Sequence, residues 1–153
     1  MIAVIQRVTS ASVTVDQAVT GAIGKGFMIL LGVCEEDLPI HATTMAEKVA
    51  NLRIFCDEND KMNLSLLDIG GETLVVSNFT LCADTSHGRR PSFVKSKNPD
   101  EANDLYELFM SHLKVMGVTK VQSGVFGASM AVSIQNDGPV TIILNTNDWK
   151  IKV

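Results

Sequence analysis

One apolar run near the middle of the chain constrains the fold more than any other feature. Leu74-Val75-Val76 contains no polar residue, which is typical of a strand that other elements cover on both faces. The run leads directly into Ser77-Asn78-Phe79-Thr80, which places hydroxyl and amide groups at the end of the strand. In α/β folds the ends of buried strands are a common place for functional groups.

One main helix is predicted before this strand in the sequence, and another is predicted after it. Residues 39–52 begin with a proline and repeat apolar residues at helical spacing. The second helix has a suitable N-cap in Asn98, a suitable first residue in Pro99 and a stop signal in Gly117. Its apolar stripe comprises Ala102, Leu105, Tyr106, Phe109, Leu113 and Met116.

The N-terminal third is predicted to be mostly sheet. Residues 2–9, 12–16 and 27–33 are rich in β-branched residues. The glycines Gly21, Gly24 and Gly26 precede a strand-like run, whereas a phosphate-binding loop would open a helix. They therefore indicate a hairpin turn.

The C-terminal part is predicted to end in a hairpin and a polar tail. Residues 130–135 alternate in polarity, and Asp137-Gly138 predicts a turn into a second strand at 140–144. The tail at 145–153 has no assigned role. Because no repeat or linker divides the sequence, residues 1–153 are expected to form one α/β domain.

The charge is unevenly distributed. Residues 85–99, the basic loop, contain Arg89, Arg90, Lys95 and Lys97 and no acidic residue, so they carry +4 while the rest of the chain carries −8. The net charge of −4 excludes a surface that binds nucleic acid everywhere, and contact with phosphates is expected only at this loop. A loop that is merely solvated is an equal alternative.

Cysteines, histidines and hydropathy bear on cofactors and location. The three cysteines are odd in number and widely spaced, which predicts reduced, mostly buried thiols: Cys34, Cys56 and Cys82. The histidines lack metal-ligand spacing, so no metal and no cofactor are expected. No apolar run reaches the length of a membrane span and no signal sequence is evident, which predicts a cytoplasmic protein without a membrane partner.

Two short motifs allow a structural as well as a functional interpretation. Taken alone, Ser77-Asn78-Phe79-Thr80 is more easily explained as a polar strand end, since Thr80 has no histidine or lysine beside it to act as a base. Asn136-Asp137-Gly138-Pro139 fits a hairpin turn equally well. Its Gly-Pro pair offers a rigid backbone that could face a ligand, and the bond before Pro139 can be cis or trans.

Five separated motifs together resemble one known family, the D-aminoacyl-tRNA deacylases. They match in order and spacing over nearly the entire chain: Met1-Ile2-Ala3-Val4-Ile5-Gln6-Arg7-Val8, Lys61-Met62-Asn63-Leu64, Ser77-Asn78-Phe79-Thr80-Leu81, Gly88-Arg89-Arg90-Pro91-Ser92-Phe93 and Asn136-Asp137-Gly138-Pro139-Val140-Thr141. The resemblance implies a three-layer β/β/α sandwich and a homodimer with its pocket at or near the subunit interface. It also implies hydrolysis of the ester of D-aminoacyl-tRNA or mischarged glycyl-tRNA and rejection of L-aminoacyl-tRNA, in translation quality control.

The resemblance further implies roles for individual residues. Ser77, Asn78, Phe79 and Thr80 would line the pocket, with Asn78 standing where the family has glutamine. The family's chirality element, a Gly-cis-Pro pair that enters the partner's pocket, falls on Gly138 and Pro139 with Asn136 and Arg7 nearby, although Arg7 also fits an ordinary surface partner of a carboxylate. The adenosine-binding residues would be Phe126 and Met130, although Met130 also fits a core strand. The partner would be aminoacyl-tRNA, bound through phosphates at Arg89, Arg90, Lys95 and Lys97, and not DNA.

Ester hydrolysis requires an activated water and a stabilised oxyanion. Backbone N–H groups around Phe79 and Thr80 could stabilise the oxyanion. No base is evident, so water attack assisted by the 2′-hydroxyl of the terminal ribose is favoured, with Thr80 orienting groups in the pocket. Thr80 as a covalent nucleophile is the alternative.

Two functions of other classes are also considered. One is a non-catalytic RNA-binding module that uses the basic loop; aromatic residues are only 5% of the chain, and no RRM-like or KH-like motif is present. The other is a small-molecule acyl hydrolase with Cys82 or Thr80 as nucleophile and His87 as base, against which a buried Cys82 thiol is favoured.

Overall fold

The computed structural model describes residues 1–153 as a single α/β domain with a six-stranded mixed sheet, a separate two-stranded sheet and three α-helices. The strands are β1 (Ile2–Val15), β2 (Ala18–Ile23), β3 (Gly26–Gly32), β4 (Phe55–Cys56), β5 (Met62–Leu64), β6 (Glu72–Ser77), β7 (Val121–Ser123) and β8 (Ala131–Asn145). The helices are α1 (Pro39–Asn51), α2 (Leu66–Ile69) and α3 (Pro99–Val115). A short 3₁₀ helix, Phe79–Cys82, follows β6 and is called the post-β6 turn below.

The long strand β1 organises the sheet. It pairs with β3 through its first half and with β2 through its second half, while β8 runs antiparallel along its other side. Strands β6 and β7 continue the sheet beyond β3 as parallel neighbours. The sheet curves into a nearly closed, barrel-like form that brings β2 close to β7. A Cβ atom added to Gly21 of β2 would lie 2.7 Å from the Ser123 carbonyl oxygen of β7.

Two hydrophobic clusters separate three layers. The smaller lies inside the curved sheet and includes Leu74 and Val76, and the larger lies between the sheet and the helices and includes Val75. Successive residues of β6 thus face opposite clusters, as the pleat of a strand requires. The apolar run is covered on both faces as predicted, and the fold is the expected β/β/α sandwich.

The two main helices confirm the predictions made from spacing and capping. Helix α1 buries five small or apolar residues, Ala42, Met45, Ala46, Val49 and Ala50. Helix α3 begins where the Asn98 side chain accepts a hydrogen bond from the Asp100 N–H at 3.0 Å, and Asp100 and Glu101 occupy its first turn. Gly117 follows its end with a φ of +109°.

The N-terminal sheet differs from the prediction in two respects. The stretches 2–9 and 12–16 fall on the single strand β1, which ends at Val15, and β2 was not predicted. Only Gly24 lies in the turn between β2 and β3, because Gly21 and Gly26 lie within strands. A Cβ atom on Gly26 would be 1.8 Å from the Glu72 carbonyl oxygen, so this glycine permits close pairing of β3 with β6.

The predicted C-terminal hairpin is wrong. Residues on both sides of Gly138 pair antiparallel with β1, since Ala11 lies opposite Ile134 and Ile5 opposite Ile142. The chain therefore does not reverse at Asp137-Gly138. The segment bulges out of a continuous strand, and the pairing with β1 shifts register twice there, between Gln6 and Val8 and between Val8 and Ser10.

The prediction of reduced cysteines is also wrong for two of them. Cys34 and Cys82 form a disulfide, with their Cα atoms 5.8 Å apart, and Cys56 is free and exposed. Forty-eight positions separate the bonded pair in sequence, and the post-β6 turn brings Cys82 back beside the end of β3.

The tail begins with ordered contacts. Thr146 is buried, and its hydroxyl accepts a hydrogen bond from the Met1 amine at 2.7 Å. The Lys48 ammonium lies 5.5 Å from the centre of the Trp149 ring, which packs against the larger cluster.

Candidate active site

A cavity of about 750 Å³ opens at the C-terminal ends of β3 and β6. One wall is formed by Ser77, Asn78 and Phe79, and another by Phe126 and Met130. The remaining lining includes the basic loop and the start of α3, and it is mostly apolar. The structure thus brings together five of the residues that the resemblance assigns to the pocket.

The segment after β6 is anchored to β3. The Asn78 N–H donates to the Leu31 carbonyl at 2.9 Å. The Thr80 hydroxyl donates to Oδ1 of Asn78, and Thr80 itself is exposed and does not line the cavity. Phe79 is 58% exposed, and its ring packs edge-on against Phe93 with the ring centres 5.1 Å apart.

The opposite wall is supported from behind. Phe126 packs against Tyr106 with ring centres 5.7 Å apart, and the Tyr106 hydroxyl donates to the Val75 carbonyl at 2.9 Å. Burial raises the pKa of Tyr106 to about 12, so this donor keeps its proton at neutral pH. Met130 lies just before β8, lines the cavity and packs half-buried against the smaller cluster.

The four cations of the basic loop differ in their partners. Lys95 lies 2.9 Å from Asp84, whose pKa is held well below its ordinary value by hydrogen bonds from Ser86 and by Lys95. Lys97 lines the cavity and donates to the Glu35 carbonyl at 2.8 Å. Arg89 and Arg90 are exposed and make no hydrogen bond or ion pair within the chain. The two arginines are therefore the cations most available to a phosphate.

The Gly138-Pro139 pair forms a second cluster outside this cavity. The peptide bond between them is cis, which decides the question that the sequence left open. Both residues are exposed. Asn136 closes the bulge from within, because its side chain accepts from the Val140 N–H and donates to the Val140 carbonyl, both at 3.1 Å.

Arg7 holds the start of the Gly138-Pro139 segment. The guanidinium is buried and donates to the carbonyls of Ile54 at 2.7 Å and Asp137 at 3.2 Å. It also pairs with the Asp137 carboxylate at 3.2 Å. Arg7 is therefore an internal anchor of the bulge and not an ordinary surface partner.

The cavity contains no histidine that could act as a base. His87 lies in the exposed loop and contacts the Ser86 hydroxyl at 2.8 Å. Cys82 is buried in a disulfide, which excludes it as a thiolate nucleophile in this structure and overturns that version of the acyl hydrolase interpretation. No group of three or more His, Cys, Asp or Glu side chains is arranged to hold a metal ion.

Three residues that shape the site were not predicted as site residues from the sequence. Phe93 and Tyr106 are in this group, and so is Asp137. Phe93 is the last residue of the motif that contains Arg89 and Arg90, and its place in that motif could have indicated a role in the site. Tyr106 and Asp137 act through tertiary contacts that no local pattern reports.

The fold and the site define a class: small α/β sandwich domains with an apolar, substrate-sized cavity and an exposed Gly-cis-Pro bulge. The chain matches the family described as D-Tyr-tRNA(Tyr) deacylase over residues 4–145. It belongs to this family.

Individual relatives agree. The chain is 57% identical over 146 residues to the D-aminoacyl-tRNA deacylase of Roseiflexus castenholzii, an alignment that covers 95% of this chain and 92% of the relative. It is 54% identical over 147 residues to the corresponding protein of Clostridioides difficile strain 630, covering 96% and 98%. Among solved structures, one described as c-Myc DNA Unwinding Element Binding Protein is 42% identical, with a TM-score of 0.89 and coverage of 95% and 98%. No helix of the chain is long and apolar enough to cross a membrane.

Proposed function

We propose that this chain hydrolyses the ester bond of D-aminoacyl-tRNA and releases free D-amino acid and tRNA. The cavity carries the proposal, because it joins the segment after β6 to Phe126 and Met130 in one mostly apolar space of about 750 Å³. That volume lies within the usual range for small-ligand sites. The names of the relatives support the same substrate.

The apolar wall suits the terminal adenosine of tRNA. An aromatic ring and a thioether offer flat, polarisable surface to an adenine base. Tyr106 packs behind Phe126 and limits its movement. We therefore assign Phe126 and Met130 to adenosine binding, which leaves the aminoacyl ester to lie beside Ser77 and Phe79.

The oxyanion is assigned to backbone donors. The N–H groups of Phe79 and Thr80 begin the post-β6 turn, where the turn itself offers no acceptor, and neither donates to a backbone carbonyl elsewhere. Donors fixed before the reaction stabilise charge that develops in the transition state. Asn78 replaces the longer glutamine of the family, and this assignment uses none of its side chain.

The attacking water is assigned to activation by the substrate. No histidine lies in the cavity, and the Thr80 hydroxyl already donates its proton to Asn78. We therefore assign the assistance of water to the 2′-hydroxyl of the terminal ribose. Thr80 serves as an acceptor that orients groups at the mouth of the cavity, and no covalent intermediate forms on it.

Selection against L-amino acids is assigned to the Gly138-Pro139 bulge. Both residues are exposed and absent from the cavity of their own chain, which is the arrangement expected if they enter the cavity of a second copy. We propose a homodimer with its pocket at this interface. A rigid backbone wall excludes one hand by collision, and glycine, which has no side chain to exclude, is accepted.

The tRNA phosphates are assigned to the basic loop, chiefly to Arg89 and Arg90. We assign the hydrolysis of D-aminoacyl-tRNA to the quality control of translation, and we place the protein in the cytoplasm.

The decisive experiment compares four substrates: D-aminoacyl-tRNA, L-aminoacyl-tRNA, glycyl-tRNA and a free D-amino-acid ester. Release of amino acid is expected from the D-aminoacyl and glycyl forms only. An RNA-binding module would release none, and a general acyl hydrolase would cleave the free ester. Equal cleavage of L- and D-aminoacyl-tRNA would refute the role of the bulge.

A single variant and a double variant test the assigned roles. Thr80→Ala should retain measurable deacylation, whereas an ester trapped on Thr80 and detected by mass spectrometry would refute assistance by the substrate. Arg89→Ala with Arg90→Ala should weaken tRNA binding and flatten its salt dependence, since fewer counterions are released. Lys150→Ala with Lys152→Ala removes two exposed cations outside the loop and is the matched control.

A further inference from the structure

The Cys34–Cys82 disulfide lies beside the proposed active site. Cys34 follows β3 and Cys82 is the last residue of the post-β6 turn, whose first residue, Phe79, lines the cavity. The separation of 5.8 Å between their Cα atoms is in the usual range for disulfides. The link therefore fastens the end of the turn to the end of the neighbouring strand.

The same place is tied to the basic loop. Cys34 forms a β-bridge with Ser96, and the Ser96 hydroxyl donates to the Phe79 carbonyl at 3.3 Å. The three segments that frame one side of the cavity thus meet at the disulfide. A change in this covalent link acts on the position of Phe79 without removing any residue that contacts substrate.

The disulfide is open to small reagents. A second cavity of about 450 Å³ is lined by both cysteines, together with acidic residues and Lys95. Cys34 is half-buried and Cys82 is only 5% exposed. Cys34 is therefore the more accessible residue of the pair.

We propose that Cys34 and Cys82 are a reversible thiol–disulfide modification site that adjusts the activity of the neighbouring cavity. The proposed reagents are small disulfides as oxidants and small thiols as reductants. This proposal rests on the proposed function for its effect on activity and on the proposed cytoplasmic location for its reversibility, since disulfides in that compartment are usually transient.

The exchange transfers two electrons and two protons between the two cysteines and one small disulfide. In oxidation, the Cys34 thiolate attacks one sulfur of the small disulfide, forms a mixed disulfide and expels one thiolate. The Cys82 thiolate then attacks the Cys34 sulfur and expels the second thiolate. The protein loses two electrons and two protons, the small disulfide gains both, and two small thiols are released. Reduction by two small thiols is the reverse.

The disulfide form is the more active form. When the link is absent, Cys82 loses its covalent attachment, and the post-β6 turn is held only by non-covalent contacts, such as the Ser96 hydrogen bond and the packing of Phe79 against Phe93. Because the oxyanion donors lie in that turn, their displacement lowers kcat. A loss of about threefold to tenfold is expected upon reduction, because a misplacement of about 1 Å can cost about 100-fold and the remaining contacts of the turn keep its movement smaller than that.

The test compares full-length protein equilibrated with oxidised glutathione and with dithiothreitol. Thiol alkylation is followed in the Cys56→Ser variant, because the exposed Cys56 would itself form a mixed disulfide with glutathione. It should mark neither remaining cysteine in the first sample and both in the second. Hydrogen exchange at residues 79–82 should be faster in the reduced sample, and deacylation of D-aminoacyl-tRNA should be slower. Cys34→Ala should abolish the difference between the samples, whereas Cys56→Ser, the matched control, should preserve it.

The outcomes separate the two proposals. If neither sample deacylates the substrate but alkylation and exchange change as expected, the proposed function fails and the modification site stands. If deacylation occurs at equal rates in both samples, the modification proposal is refuted alone. It is also refuted if Cys34 and Cys82 stay open to alkylation after treatment with oxidised glutathione.

Discussion

Replacement of Arg7 tests whether a buried cation anchors the Gly138-Pro139 bulge. Arg7→Ala removes the donors to the Ile54 and Asp137 carbonyls and the ion pair with the Asp137 carboxylate. No other side chain donates to the Ile54 carbonyl. The variant therefore leaves an acceptor unpaired in the interior and releases the start of the bulge.

The cost follows from the exposure of each partner. A hydrogen bond from a charged group contributes about 1.5–3 kcal/mol, and the bond to the buried Ile54 is given this full range. The Asp137 side chain is 41% exposed, so its ion pair is limited by solvent screening to about 0–1 kcal/mol. Arg7→Ala should thus lower the free energy of unfolding by about 2–4 kcal/mol, which leaves an ordinary domain folded.

Thermal and chemical unfolding measure the stability of the variant. The ratio of D- to L-aminoacyl-tRNA cleavage measures how well the bulge excludes L-amino acids. The expected fall in Tm is roughly 4–16 °C for a chain of this size. The ratio should fall as well, because the wall becomes mobile. Arg53→Ala is the control, since Arg53 is exposed and donates to the backbone of Asn63. If Arg7→Ala costs no more than Arg53→Ala and the ratio is unchanged, Arg7 is not an anchor.

Three further predictions concern local geometry. Gly138→Ala should destabilise the chain by about 1–3 kcal/mol in chemical unfolding, because at φ +135° its Cβ would lie 2.8 Å from the Val140 nitrogen; a stability equal to wild type would contradict this. The Asp84 carboxyl should titrate by NMR below the ordinary value of 3.8, so its contribution to loop order is present above that pH and is lost as the pH falls below it; Lys95→Met should move the midpoint upward. Asn98→Ala should cost about 1 kcal/mol through loss of the cap, and an unchanged unfolding midpoint would count against the capping bond.

Local patterns predicted the elements whose causes are local. The cap at Asn98, the stop at Gly117 and the apolar run Leu74-Val75-Val76 each depend on neighbouring residues, and the structure confirms them. The hairpin at Asp137-Gly138 fails for the opposite reason. The same dipeptide fits a reversal and a bulge, and only pairing with the distant β1 decides between them.

The site shows the same division. The motif after β6 and the Gly-Pro pair were found because their residue types are unusual in sequence. Arg7 at one end of the chain and Asp137 at the other meet only in the folded state. The union of Cys34 with Cys82 likewise arises from the path of the chain between them, which residue spacing does not reveal.

The pairing of β1 with β8 has a consequence for biosynthesis. Ile2 lies opposite Asn145 and Thr14 opposite Ala131, so the longest strand pair joins residues that are far apart in the sequence. During synthesis β1 emerges before β8 and waits with one edge unpaired until β8 leaves the ribosome. Such distant pairing slows folding, and an open edge invites association with other chains. Chains whose translation stops early, before Ala131, should accordingly aggregate and be substrates for chaperones and proteases, whatever the stability of the finished domain.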